Sequence, residues 1–214
     1  MRVKDRMRRS LVSVTQSDTL DHALTTLKRF HIRHLPVVKG DHIVGIISDR
    51  DVKKATPSPF DYPTADEFRA FTSAVAIKDI MTKEVITVSP LTPIEEAASL
   101  MNQKRIGALP VVQEGRLIGM LTETDVLGVM TEMMGATHTA SRIEIEVPAS
   151  PGVLTEVIQI VEAQQVEIAS LVTLPACEGA RRLLILRLQT INPDPVVRAL
   201  AERGYPQAVG EFIR

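Results

Sequence analysis

Gly45–Asp51 reads GIISDRD and Gly119–Asp125 reads GMLTETD. Each is a glycine, two apolar residues, a hydroxyl, an acid, an unconstrained position and an aspartate. The second begins 74 positions after the first, and sliding the chain by that offset aligns residues 3–52 with 77–126 without a gap. About a quarter of the aligned positions are identical, VKDRM facing IKDIM and IRHLPVV facing IGALPVV. Two copies are too few for a solenoid, so the repeat predicts a pseudo-symmetric pair packed together.

Within each copy the apolar period changes in the same order. LVSVT and VITVS are short β-branched runs. Leu20, Ala23, Leu24 and Leu27, like Ala97, Leu100 and Met101, then fall at helical spacing. Asp18 and Thr92 stand at the expected helix caps, Thr92 in a capping box with Pro93 at the first helical position. LPVV, a turn, and IVGIIS or LIGMLT predict a hairpin, and a second helix starts near the final aspartate. The expected order is β-α-β-β-α.

This order, with the LPVV and Gly-apolar-apolar-Ser/Thr-x-x-Asp signatures, resembles the tandem cystathionine-β-synthase (CBS) domain pair over about residues 1–130. In nucleotide-binding members the aspartate takes ribose hydroxyls, the hydroxyl residue takes phosphate, and apolar strand residues take the base. The resemblance therefore implies that Ser48 and Asp51, and Thr122 and Asp125, hold an adenine nucleotide (AMP, ADP or ATP) or S-adenosylmethionine. Backbone N–H groups at a helix start suit a phosphate. The same residue types equally suit simple capping of the second helix. Arg33, His34, Arg50 and Lys53 cluster in the first copy, where the second carries the uncharged Gly107, Ala108, Thr124 and Leu127. They predict that phosphate charge is favoured at the first motif.

Residues 55–76 form an insert with three prolines and four of the seven aromatics, Phe60, Tyr62, Phe68 and Phe71. It predicts a loop and a short amphipathic helix that covers a domain flank or closes over a base. The second repeat occupies 77–130. A Leu127, Met130, Met134 stripe and a polar linker over 131–141 follow.

From residue 142 to 214 the pattern restarts: RIEIEV as a strand, SPGVLTEVIQIVEAQ as a helix capped by Ser150, two strands, a helix closed by Gly204, and a last strand in PQAVGEFIR. That β-α-β-β-α-β order is ferredoxin-like. With PASPGVL at the first turn it resembles an ACT domain, whose members bind amino acids between paired domains. The resemblance implies a ligand near Ser150 and Gly152, although the usual turn aspartate is replaced by Ala149 or Ser150. The fold class is thus α+β, a CBS pair plus one ACT-like domain. That combination is similar to the bacterial acetoin-utilisation accessory proteins.

Bulk properties narrow the function further. Net charge is −1, which argues against general nucleic-acid affinity. Residues 1–54 nevertheless carry twelve Lys/Arg against six Asp/Glu and four of the five histidines, which suits a small anionic ligand. No run of eighteen apolar residues or leader pattern points to a membrane. The single Cys177 fits a reducing cytoplasm and a plain loop. No P-loop, metal-ligand cluster or nucleophile–base pair is legible; His31 and His34 read as phosphate or surface groups rather than metal ligands. The expectation is a cytoplasmic, non-enzymatic sensor that forms a homodimer and acts on a regulated protein. An enzyme with an interface-built active site and a scaffold with degenerate sites are the alternatives.

Overall fold

Glycine at the head of each signature is set by what lies above it. A Cβ on Gly45 would stand 2.4 Å from Met81 Sδ, and one on Gly119 would stand 2.6 Å from Met7 Sδ. Met7 and Met81 are themselves repeat equivalents, so each copy sends its methionine onto the other copy's strand. The backbone follows the same exchange. Arg8 and Met120 trade N–H···O bonds of 2.8 and 3.0 Å, and Thr82 and Ile46 trade bonds of 2.9 and 3.0 Å.

The computed structural model describes residues 1–58, 64–135, 141–175 and 180–207. It divides into two units, Met1–Val126 and Leu127–Arg214. The first opens with a 3-10 turn at Val3–Asp5. It continues through α1 (Leu20–Phe30), β1 (His34–Lys39), β2 (His42–Ser48), α2 (Asp49–Ala55), α3 (Ala65–Ala74) and α4 (Ile77–Ile80). The second copy supplies α5 (Ile94–Lys104), β3 (Ala108–Gln113), β4 (Arg116–Thr122) and α6 (Glu123–Met133), which carries the chain past the unit boundary. β1 pairs with β2 and β3 with β4, both antiparallel. The register shifts at equivalent points, between Val37 and Val38 and between Val111 and Val112.

The expected first strands are reduced to single parallel bridges, Val14 with Val37 and Val88 with Val111. Each run makes one pair of bonds with the hairpin and then turns away. The caps also differ from expectation. Thr19 caps α1 by accepting from His22 N–H, while Asp18 accepts from Thr15 N–H at 2.6 Å. Pro93 stands at the cap of α5, and Thr92 Oγ1 accepts from Ser89 N–H instead. In both cases the side chain one residue earlier serves the preceding turn.

The first copy's core takes in the second copy's entry segment. Leu20, Leu27, Leu35, Val37 and Ile47 of the first pack with Ile77 and Met81 of the second copy's entry segment. The insert returns along this flank, with Leu20 N–H donating to Val75 O and Ile77 N–H to Asp18 O. α3 packs on α1 and buries Thr72 completely. Phe68 and Phe71 are half-buried there, whereas Phe60 and Tyr62 lie outside the described residues.

The second unit contains β5 (Ser141–Pro148), α7 (Val153–Ala163), β6 (Ile168–Pro175), β7 (Arg181–Leu188) and α8 (Asp194–Glu202). Its sheet order is β5-β7-β6, all antiparallel, the third strand lying between the first two. Gln207 bridges Ile145 on the outer edge of β5; the rest of the expected last strand, and Cys177, lie outside the described residues. Alternation along β5 buries Ile143, Ile145 and Val147 against Val157, Val161 and Leu200 of the helices. Ser150 does not cap α7. Gly152 does, at φ 89°, because the chain turns through Pro151 before the helix begins.

Candidate functional site

Ser48 ends β2 and caps α2. Its Oγ accepts from Asp51 N–H at 3.2 Å, and its own N–H and O–H donate to Asp51 Oδ2 at 2.9 and 2.6 Å. Thr122 and Asp125 repeat this box at the start of α6, with distances of 2.9, 2.6 and 3.3 Å. The seven-residue signature is therefore a reciprocal cap in both copies. Each box uses only Oδ2 of its aspartate, so Oδ1 is not consumed by capping. Arg8 Nε takes Oδ1 of Asp125 at 3.2 Å, whereas position 82, the equivalent of position 8, is threonine.

Each box borders a cleft. The first, of about 300 Å³, has Ile46, Ser48, Asp49, Arg50 and Asp51 on one wall. Its other wall comes from the second copy: the entry segment Thr82–Ile86 and the α5–β3 junction from Arg105 to Pro110. The second, of about 270 Å³, has Met120, Thr122 and Thr124 facing Arg8–Val12 and His31–Pro36. Shifting the second cleft's residues by 74 positions returns most of the first's, so one local sequence builds both. Each cleft offers a hydroxyl at a strand end, apolar strand side chains, and a wall that belongs to the other copy.

His31 and Arg105 occupy equivalent positions after α1 and α5, at φ 51° and 54°. Left-handed backbone at a residue other than glycine costs about 1 kcal/mol or more. Here it brings each side chain to the mouth of the opposite copy's cleft. Arg105 and Arg8 escape a reading of the sequence, because the crossover that delivers them has no local signal.

The cations are distributed otherwise than the first copy's composition suggests. Arg33 and His34 line both clefts. The Arg33 guanidinium reaches the second motif, donating to Thr124 Oγ1 at 3.5 Å. Arg50 lines the first cleft, and Lys53 sits 3.6 Å from Asp49 rather than in its wall. His34 stands where the copies meet: a Cβ on Gly107 would lie 3.2 Å from its Cε1 and 3.4 Å from Glu123. Burial holds its pKa below 6.5, with Arg33 acting in the same direction and Asp49, Glu123 and Asp51 opposing.

In the second unit Ser150 lines a cleft of about 270 Å³ with Pro148, Leu154, Thr173 and Arg182. Arg182 carries no motif that marks it in the sequence, and among the described residues it is the cation lining that cleft. Among the described residues no group of three His, Cys, Asp or Glu side chains gathers as a metal site. No helix among them is long and apolar enough to cross a membrane.

The CBS domain family matches residues 3–58 and 77–132, the two copies defined above. A CBS domain-containing protein of Dictyostelium discoideum is 39% identical over 135 residues, covering 62% of this chain and 92% of its own. Inosine-5'-monophosphate dehydrogenase of Korarchaeum cryptofilum is 31% identical over 144 residues, 67% of this chain but only 27% of the enzyme. Among solved structures, CBSX2 of Arabidopsis thaliana in complex with AMP is 30% identical, with a TM-score of 0.51 over 61% of this chain and 96% of that one. The CBS domain pair of protein MJ0100, in complex with 5'-methylthioadenosine and S-adenosyl-L-methionine, is 25% identical, with a TM-score of 0.52 over 62% and 97%. A putative acetoin utilisation protein of Vibrio cholerae is 27% identical, with a TM-score of 0.52 over 64% and 98%. With both repeats matched and more than half of its residues covered, this chain belongs to the CBS domain family.

Proposed function

We propose that this protein is a regulatory sensor whose CBS pair binds an adenine nucleotide or S-adenosylmethionine in the two clefts. The observation that carries the reading is the matched pair of clefts, each closing a Ser/Thr–Asp box of one copy against the entry segment of the other. Asp51 and Asp125 would accept from ribose hydroxyls. Ser48 and Thr122 would meet phosphate, with Arg33, His34 and Arg50 supplying positive charge. Ile46 and Pro110, or Met120 and Pro36, would sandwich the base. The AMP complex of CBSX2 and the S-adenosylmethionine complex of MJ0100 support the ligand class.

A ligand held between copies stabilises their packing, and a regulated protein would read that change in the cytoplasm. The homodimer and an acetoin-linked partner belong to this reading, as does an ACT-like role for the second unit, with a carboxylate ligand held near Ser150, Gly152 and Arg182. A thermal-shift screen of the full chain against AMP, ADP, ATP, S-adenosylmethionine and amino acids tests it. A ligand at a hundred times its Kd adds about 2.7 kcal/mol of stability and raises Tm by several degrees. No shift with any adenine compound would leave the boxes as helix caps alone. Light scattering at micromolar concentration tests the dimer, and a monomer mass would remove it.

A further inference from the structure

The two clefts share one backbone plan but differ in charge at matching positions. The cleft beside Thr122 has Arg8 and Ser10 on its entry wall; the cleft beside Ser48 has Thr82 and Glu84 there. The next matching pair, Asp49 and Glu123, both line the Ser48 cleft, Glu123 reaching it from the other copy. The Ser48 cleft thus holds Asp49, Asp51, Glu84 and Glu123 against Arg33, Arg50 and Arg105, with Lys53 beside Asp49. The Thr122 cleft holds Arg8 and Arg33, with His31 and His34, and no carboxylate among its described lining residues. Asp125 lies next to that cleft, but its charge is offset by Arg8 at 3.2 Å, and its side chain is only 13% exposed.

From this contrast we infer that the clefts take ligands of opposite charge demand. The Thr122 cleft takes a nucleoside di- or triphosphate, with Arg8 as the specificity-determining residue. The Ser48 cleft turns polyphosphate away through Glu84 and takes an adenosine compound with at most one phosphate, or one carrying a sulfonium. The reasoning is Coulombic. Each further phosphate adds negative charge, which Arg8 and Arg33 against the single Asp125 favour and four carboxylates against three arginines oppose, in clefts less screened than open surface. Arg33 strengthens the difference. It lines both clefts, yet its guanidinium already leans on Thr124 in the second motif, so a polyphosphate there holds it away from the first. The inference rests on the nucleotide-sensor reading and specifies which ligand goes where.

The test is isothermal titration of the full chain with ATP and with 5'-methylthioadenosine, in three proteins: wild type, Arg8→Thr and Glu84→Ser. Each substitution installs the residue that the other copy carries at the matching position. Arg8 and Glu84 are both exposed, and circular dichroism checks that each variant is folded. Wild type should bind one ATP and one 5'-methylthioadenosine per chain. Arg8→Thr should lower the ATP-to-methylthioadenosine affinity ratio about tenfold, and that loss should shrink as salt rises. Glu84→Ser should admit a second ATP per chain. Binding of both ligands with ratios unchanged in the two variants would overturn the charge partition while leaving the sensor reading intact. Failure of wild type to bind either compound would overturn both.

Discussion

Asp51 anchors the start of α2 through Oδ2, and the opposite carboxylate oxygen plays no part in the cap. Capping and ligand binding are therefore separable in one residue. Asp51→Asn keeps a carbonyl oxygen for the Ser48 N–H and should lose little stability. Asp51→Ala should lose about 1 kcal/mol, the usual cost of removing a cap. Both should weaken the ligand of the Ser48 cleft about ten- to a hundredfold, because a charge-assisted bond to ribose contributes roughly 1.5–3 kcal/mol. Paired titration and thermal melts separate the effects; unaltered affinity in Asp51→Asn would assign the residue to the helix alone. His34 gives a second prediction at this scale. Its folded pKa lies below 6.5, chiefly through burial, so the fold favours the neutral ring. That contribution to stability is present above pH 6.5 and is lost as pH falls through 6.5 toward the lowered folded value. A phosphate in either cleft would favour the charged ring, so nucleotide binding should take up a proton and tighten as pH falls through that window. Calorimetry in buffers of different ionisation enthalpy reads the proton directly, and His34→Gln should reduce both the uptake and the pH slope.

At the scale of elements, the crossover of entry segments binds the repeat into one body. Gly45→Ala would place a methyl group against Met81 Sδ and 3.2 Å from Thr82 O, and Gly119→Ala would do the same against Met7 and Arg8 O. Each should destabilise by about 1–3 kcal/mol, the range for overpacking a filled core. Adding Met81→Ala to Gly45→Ala should cost less than the sum of the two single changes, and a thermodynamic cycle measures that coupling. Additive losses would mean that the methionine yields freely. In the second unit Tyr205 O–H donates to Glu156 Oε2 at 2.8 Å and ties the segment after α8 to α7. Tyr205→Phe should cost about 1 kcal/mol in a urea melt. The same elements mark how far the sequence can be read. Helices and hairpins are legible because their periods are local, and the boxes because hydroxyl and carboxylate recur three apart. The entry runs read as strands, since β-branched composition does not reveal that only one bridge forms. Arg33 and His34 read as belonging to the nearer motif, because adjacency in the chain is not adjacency in space. The exchange of walls between copies moves them to both clefts and introduces Arg8 and Arg105.

For the molecule as a whole, the proposed function makes the first unit the ligand-responsive part and its two clefts the addresses for adenine compounds. On this reading the two Ser/Thr–Asp boxes are binding sites as well as caps. The most direct measurement is calorimetric titration of AMP into the wild-type chain and into the double variant Asp51→Asn, Asp125→Asn, whose caps retain an acceptor oxygen. Saturable binding is expected in wild type, with a loss of at least about tenfold in affinity in the double variant and a melting temperature changed by no more than about a few degrees. Equal affinity in the two proteins would contradict a binding role for the boxes.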